Sequence, residues 1–184
     1  MAEIIDRSPA GLVDALCKRI DTLLTPSFWQ EAEQFVDGDN EEFHTPHVHA
    51  QYLPVSKTES EKRDKTKDFP LVQVICTSGE ISDFTEAKAG SEIKLQIYFG
   101  GYSKETDNQG WRIPAAMLWR TLQDLLADTL LNGYQLTTPV KYTLLNSKDP
   151  PYYWSFMETV WKGCPPAVEV PTENEEVFGK DITQ

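Results

Sequence analysis

Residues 92–101 read Glu-Ile-Lys-Leu-Gln-Ile-Tyr-Phe-Gly-Gly. Ile93, Leu95, Ile97 and Phe99 alternate with Lys94, Gln96 and Tyr98. A period of two puts one face of a β-strand in a core and leaves the other to solvent or an interface. Gly100-Gly101 is expected to end this strand. A polar link, Ser103 to Gln109, then leads into a long helix with Pro114 near its first turn. Its apolar stripe is Met117, Leu118, Leu122, Leu125, Leu126 and Leu130, and Asn132-Gly133 supplies a stop signal. Leu118, Leu122, Leu125 and Leu126 are expected to bury against Ile93, Leu95 and Ile97.

Upstream, Ser8-Pro9 opens an amphipathic helix in which Leu12, Val13, Leu16, Cys17, Ile20, Leu23 and Leu24 recur at helical spacing. Pro26 closes it, since the residue before a proline disfavours helical geometry. Residues 27–40 read as a weaker helix or bridge, with Phe28, Trp29, Ala32 and Phe35 on one face. His47–Pro54 is a short extended candidate. Ser56–Asp68 holds no apolar side chain, so burial cannot offset its ordering entropy and a mobile loop is expected. Leu71–Cys76 is a strand that stops at Ser78-Gly79-Glu80. Downstream lie two further extended segments, Tyr134–Leu145 and Tyr152–Lys162. After Pro165-Pro166 the chain turns acidic, and 168–184 reads as a tail. No repeated crossover helices join the strands, as an all-parallel sheet would require. The expected fold is a single α+β domain over 1–167. In it, a mostly antiparallel sheet of four to five strands is packed by an N-terminal helix and one long helix.

The chain has 184 residues, 40% of them hydrophobic and 11% aromatic, enough for an ordinary core. Its 17 basic and 29 acidic residues leave a formal charge of −12. Long-range attraction to phosphate is therefore a poor basis for binding, whether to duplex DNA or to an anionic membrane. Cys17, Cys76 and Cys164 form no zinc-type or disulfide-type spacing. The N-terminus lacks a signal-peptide pattern, and the apolar runs fall far short of the ~20 residues that span a bilayer. The expectation is a protein of a reducing cytoplasm that makes no membrane contact.

Chemistry-bearing patterns are sparse. His44, His47 and His49 are the only tempting metal set, because neutral imidazoles suit zinc, copper or nickel. Pro46 argues against a helix there, no carboxylate or cysteine follows at standard ligand spacing, and surface histidines at a strand end are the plainer reading. Ser78 lacks a nucleophile elbow, and Gly100-Gly101 lacks the surroundings of a phosphate loop. The aromatic cluster Tyr152, Tyr153, Trp154, Phe156 and Trp161 places large groups on both alternation sets of one strand. Either this strand is central and covered on both faces, or one face packs on a neighbouring subunit.

One set of segments carries a resemblance. His47-Val48-His49-Ala50-Gln51-Tyr52-Leu53-Pro54, a charged spacer and Asp68-Phe69-Pro70-Leu71-Val72-Gln73-Val74 come first. Ile93–Gly101 with Tyr102, Asn108-Gln109-Gly110-Trp111, a leucine-rich helix and the aromatic strand Pro150–Trp161 follow in order. Over Phe43–Trp161, about two thirds of the chain, this resembles the tail terminator (tail completion) proteins of long non-contractile-tailed bacteriophages.

The resemblance implies a non-enzymatic structural protein with no cofactor or metal. It would form a hexameric ring at the head-proximal end of the virion tail, after assembly in the host cytoplasm. The ring would sit on the last layer of the major tail tube protein, stop tube polymerisation and dock to head-tail connector proteins. DNA would pass through it without specific binding. Tyr152, Trp154 and Phe156 are the candidate subunit or tube contacts. The alternatives are a head-side connector or stopper ring and, from another class, a small metal-dependent enzyme using His44, His47 and His49.

Overall fold

A computed structural model describes residues 6–25, 45–53, 68–81, 90–103, 109–145 and 151–163. The expected helix over 27–40, the loop 56–68 except Asp68, and the tail 168–184 lie outside the described residues.

Helix α1 spans Pro9–Leu23. Ser8 caps it by accepting from the Gly11 N–H at 3.1 Å, and Pro9 occupies the first turn, where no N–H is needed. Its buried side is Gly11, Leu12, Val13, Leu16 and Ile20. Strands β1 (His47–Ala50), β2 (Leu71–Ile81) and β3 (Ser91–Tyr102) follow. A 3-10 turn at Gln109–Trp111 leads directly into α2, Arg112–Ala127. The chain closes with β4 (Leu130–Leu131), β5 (Tyr134–Leu145) and β6 (Tyr152–Gly163).

The architecture is α+β, but the sheet is larger than expected and is mixed. It has six strands in the order β1-β2-β3-β6-β5-β4, and β1 runs parallel to β2 while the other pairs are antiparallel. A parallel pair needs a connection of a dozen or more residues, and residues 51–70 provide that length. Where β1 ends, Gln51 turns to φ 61 and its side chain continues the ladder. The Cys76 N–H donates to Gln51 Oε1 at 3.0 Å, and Gln51 Nε2 donates to the Cys76 carbonyl at 3.3 Å.

Three local expectations are corrected. Gly100-Gly101 does not end β3, which runs on to Tyr102. A Cβ on Gly101 would come within 2.7 Å of Pro114, so the missing side chain lets α2 close on the strand. β2 likewise passes through Ser78-Gly79-Glu80 to Ile81, with a register shift between Cys76 and Ser78. Asn132-Gly133 does not cap α2. With φ of 52 and 82 it makes the tight turn between β4 and β5, a geometry in which both central residues need positive φ. α2 has already stopped at Ala127, so Leu130 belongs to β4 and both Leu126 and Leu130 are exposed.

Both helices pack on the same face of the sheet, α1 over β1 and β2, α2 over β3 and β6. The core between them contains Leu12, Leu16 and Ile20 from α1 and Met117, Leu118, Leu122 and Leu125 from α2. The sheet supplies Val72, Val74, Ile93, Leu95, Ile97, Phe99, Met157 and Trp161. Arg19 ties the two helices together. Its Nε meets Asp124 Oδ2 at 2.6 Å, and its other nitrogens donate to the carbonyls of Asp124 and Asp128 at 2.8 and 2.9 Å. Those carbonyls lie at the C-terminal end of α2, where the dipole favours a cation; the Asp124 carbonyl also accepts from the Asp128 N–H at 3.1 Å. Among the described residues no helix is long and apolar enough to cross a membrane.

Candidate functional site: the open face of the sheet

Alternation along β6 divides its side chains cleanly. Tyr153, Ser155, Met157, Thr159 and Trp161 are buried under the helices, while Tyr152, Trp154, Phe156, Glu158 and Val160 turn to the opposite face and are half-buried. On the helix side Ser155 Oγ donates to the Pro114 carbonyl at 3.0 Å and Trp161 Nε1 donates to Thr159 Oγ1 at 2.9 Å, whereas the buried Tyr153 hydroxyl has no partner among the described residues. β6 is thus a central strand between β3 and β5, and no helix among the described residues covers its second face.

Register carries that second face across the sheet. Trp154 lies opposite Gly100 and Leu145, Phe156 opposite Tyr98 and Thr143, and Glu158 opposite Gln96 and Lys141. The aromatic rings meet one another: Tyr98 and Phe156 stack at 5.7 Å, and Tyr102 tilts against Tyr152 at 5.4 Å. Phe69, just before β2, meets Tyr152 at 5.2 Å and Trp154 edge-on at 5.6 Å. Separations of this size are those of favourable offset and edge-to-face ring pairs. Gly100 makes the closure over the strand possible, since a Cβ there would fall 2.8 Å from Phe69 and 2.9 Å from Trp154. Leu71 lies in the same register row and is buried although it faces away from both helices, so the rings roof a small second core.

Along the strands the face grades from aromatic to polar to ionic. Tyr98 Oη donates to Gln96 Oε1 at 3.0 Å, and Gln96 Nε2 donates to Glu158 Oε1 at 3.0 Å. Beyond them Glu92 lies between Lys94, at 3.7 Å, and Lys162, at 3.5 Å.

Tyr152, Trp154 and Phe156 therefore come together on one face, as their spacing implied. Phe69, Tyr98 and Tyr102 complete the layer and were not singled out from sequence. Tyr98 shares its parity with Lys94 and Gln96, on the face expected to meet solvent or an interface, and a stop at Gly100-Gly101 left Tyr102 outside the strand.

Of the three histidines, His47 and His49 lie on β1 with ring centroids 6.3 Å apart, while His44 is outside the described residues. Partial burial, then His47, holds the His49 imidazole below its usual range against an upward pull from Asp68. No group of three metal-ligating side chains occurs among the described residues. Burial, reinforced by Asp14 and Asp21, pushes the Cys17 thiol up to about 11, and burial raises Cys76 as well. Neither is poised as a nucleophile, because attack needs the thiolate. Broad aromatic area with hydroxyl and carboxamide groups beside it has the composition that is enriched at protein interfaces. No protein-family model and no curated protein matches the chain.

Proposed function

We propose that this protein is a structural virion component of the tail terminator type, a hexameric ring that caps the tail tube of a long non-contractile phage tail. The observation that carries the reading is the aromatic layer of Tyr98, Tyr102, Tyr152, Trp154 and Phe156 on a sheet face that neither helix covers. Aromatic groups are enriched at protein interfaces, and a few of them hold most of the binding energy there. The sequence resemblance over Phe43–Trp161 supplies the context, with the major tail tube protein below the ring and head-tail connector proteins above it. The layer is the surface that meets the tube. A charge of −12 suits a channel through which DNA slides without being held. The role requires no catalytic residue, cofactor or metal.

Complementing a phage that lacks the gene tests this. Variants of Trp154 or Phe156 that keep wild-type melting should leave tails of irregular, excessive length that fail to join filled heads. Tails of normal length that accumulate unjoined would move the protein to the connector side of the neck. Normal, joined tails would remove the proposal.

A further inference from the structure

The sheet has two edges, and each leaves backbone hydrogen-bonding groups without a partner strand among the described residues. At one edge, β4 covers only the start of β5, through Leu130 opposite Gln135 and Leu131 opposite Tyr134. The Leu136 N–H still donates to the Thr129 carbonyl at 2.8 Å, but from Thr137 to Leu145 the outer side of β5 carries no strand. At the other edge, β1 is joined to β2 alone. The N–H groups of His47 and Gln51 donate inward to the carbonyls of Pro70 and Val74, so alternation turns those of Val48 and Ala50 outward.

Open edges are usually blunted by proline or charge. Pro139 and Lys141 do this in the middle of β5, yet Tyr142-Thr143-Leu144-Leu145 beyond them carries neither. The helix layer covers the start of β5, where Tyr134 and Leu136 are buried, but leaves its far end exposed. Tyr142 and Leu144 lie opposite the core residues Met157 and Ser155, but they remain 49% and 48% exposed. The exposed Trp119 ring leans on Tyr142 at 6.2 Å and widens this apolar strip. Just past the end of β1 stand Tyr52, 80% exposed, and Leu53, also exposed.

The two edges also differ in charge. Arg120 follows Trp119 and Lys141 precedes Tyr142, both exposed. On the opposite side the outer surface of α1 carries Asp14 and Asp21 against Lys18, and Asp68 is exposed just before β2.

We infer that the β5 edge of one copy takes the β1 edge of a second copy, with Tyr52 and Leu53 seated against Trp119, Tyr142 and Leu144. This deepens the ring reading above and rests on it. Backbone pairing across the join extends the sheet from subunit to subunit, apolar groups fill the uncovered strip, and the cationic rim meets the acidic one. Because the two surfaces are different, the contact is head-to-tail, the kind that closes into a ring when its rotation permits.

Leu144→Glu blocks one edge and Tyr52→Glu the other. Both positions are exposed, so wild-type melting is expected for each variant. At a concentration where wild-type protein assembles, each variant alone should be monomeric by native mass spectrometry. An equal mixture should give dimers and nothing larger, since one intact edge from each partner can still join. The inference is overturned by a mixture that stays monomeric, by either variant assembling like wild type, or by wild-type protein that never associates. Assembly that follows these edges without any binding to tail tubes would leave the join standing and remove the terminator reading. Tube binding together with an unaffected Leu144→Glu ring would remove the join alone.

Discussion

Gly100 is the residue on which the aromatic layer depends, because two rings approach its backbone more closely than any side chain would allow. Gly100→Ala should cost about 1–3 kcal/mol, the usual range for overpacking a filled site. Chemical denaturation measures that loss, and a red shift of tryptophan emission should accompany it as Trp154 moves toward solvent. An unchanged stability and spectrum would mean that the rings are not closed over the strand. Cys17 offers a second check at this scale. With its thiol at about 11, roughly one molecule in a thousand carries the thiolate at pH 8. In a variant with Cys76 and Cys164 replaced by serine, alkylation of Cys17 at pH 8 should be slow in the folded protein and rapid in denaturant. Equal rates would place Cys17 at the surface.

The helix α2 separates what periodicity reveals from what it conceals. Leu118, Leu122 and Leu125 face the core as their spacing implied, whereas Leu126 is exposed one turn after Leu122. Leu122→Ala should therefore cost about 2–5 kcal/mol, while Leu126→Ala should stay within about 0.5 kcal/mol of wild type, as surface changes do. Equal losses in thermal denaturation would contradict this orientation. The alternation of β3 and the two aromatic sets of β6 were readable because a strand's period is a local property of the chain. Element ends were harder, because they depend on partners distant in sequence. Gly100-Gly101 reads as a turn until Phe69, Trp154 and Pro114 are known to need the space. Asn132-Gly133 signals a reversal in either reading, and only the pairing of Leu131 with Tyr134 makes it a hairpin.

At the scale of the whole molecule, the described residues place two helices on one face of a six-stranded mixed sheet, and aromatic rings roof part of the other. Strand order could not be read from the chain, since β3 pairs with β6 across an intervening helix and two other strands. The parallel β1 was equally hidden, as four residues carry too little pattern to show their direction. The candidate face was half readable: β6 displayed its rings by alternation, but Phe69, Tyr98 and Tyr102 join them only through the sheet's register. If these rings meet a tail tube, position on the tail is the decisive property. The most direct measurement labels the protein with antibody on tails purified from an infection that makes no heads, and views them by electron microscopy. Label confined to the head-proximal tip of each tube is the predicted result. Unlabelled tails, with label instead on DNA-filled heads from a tail-defective infection, would contradict it.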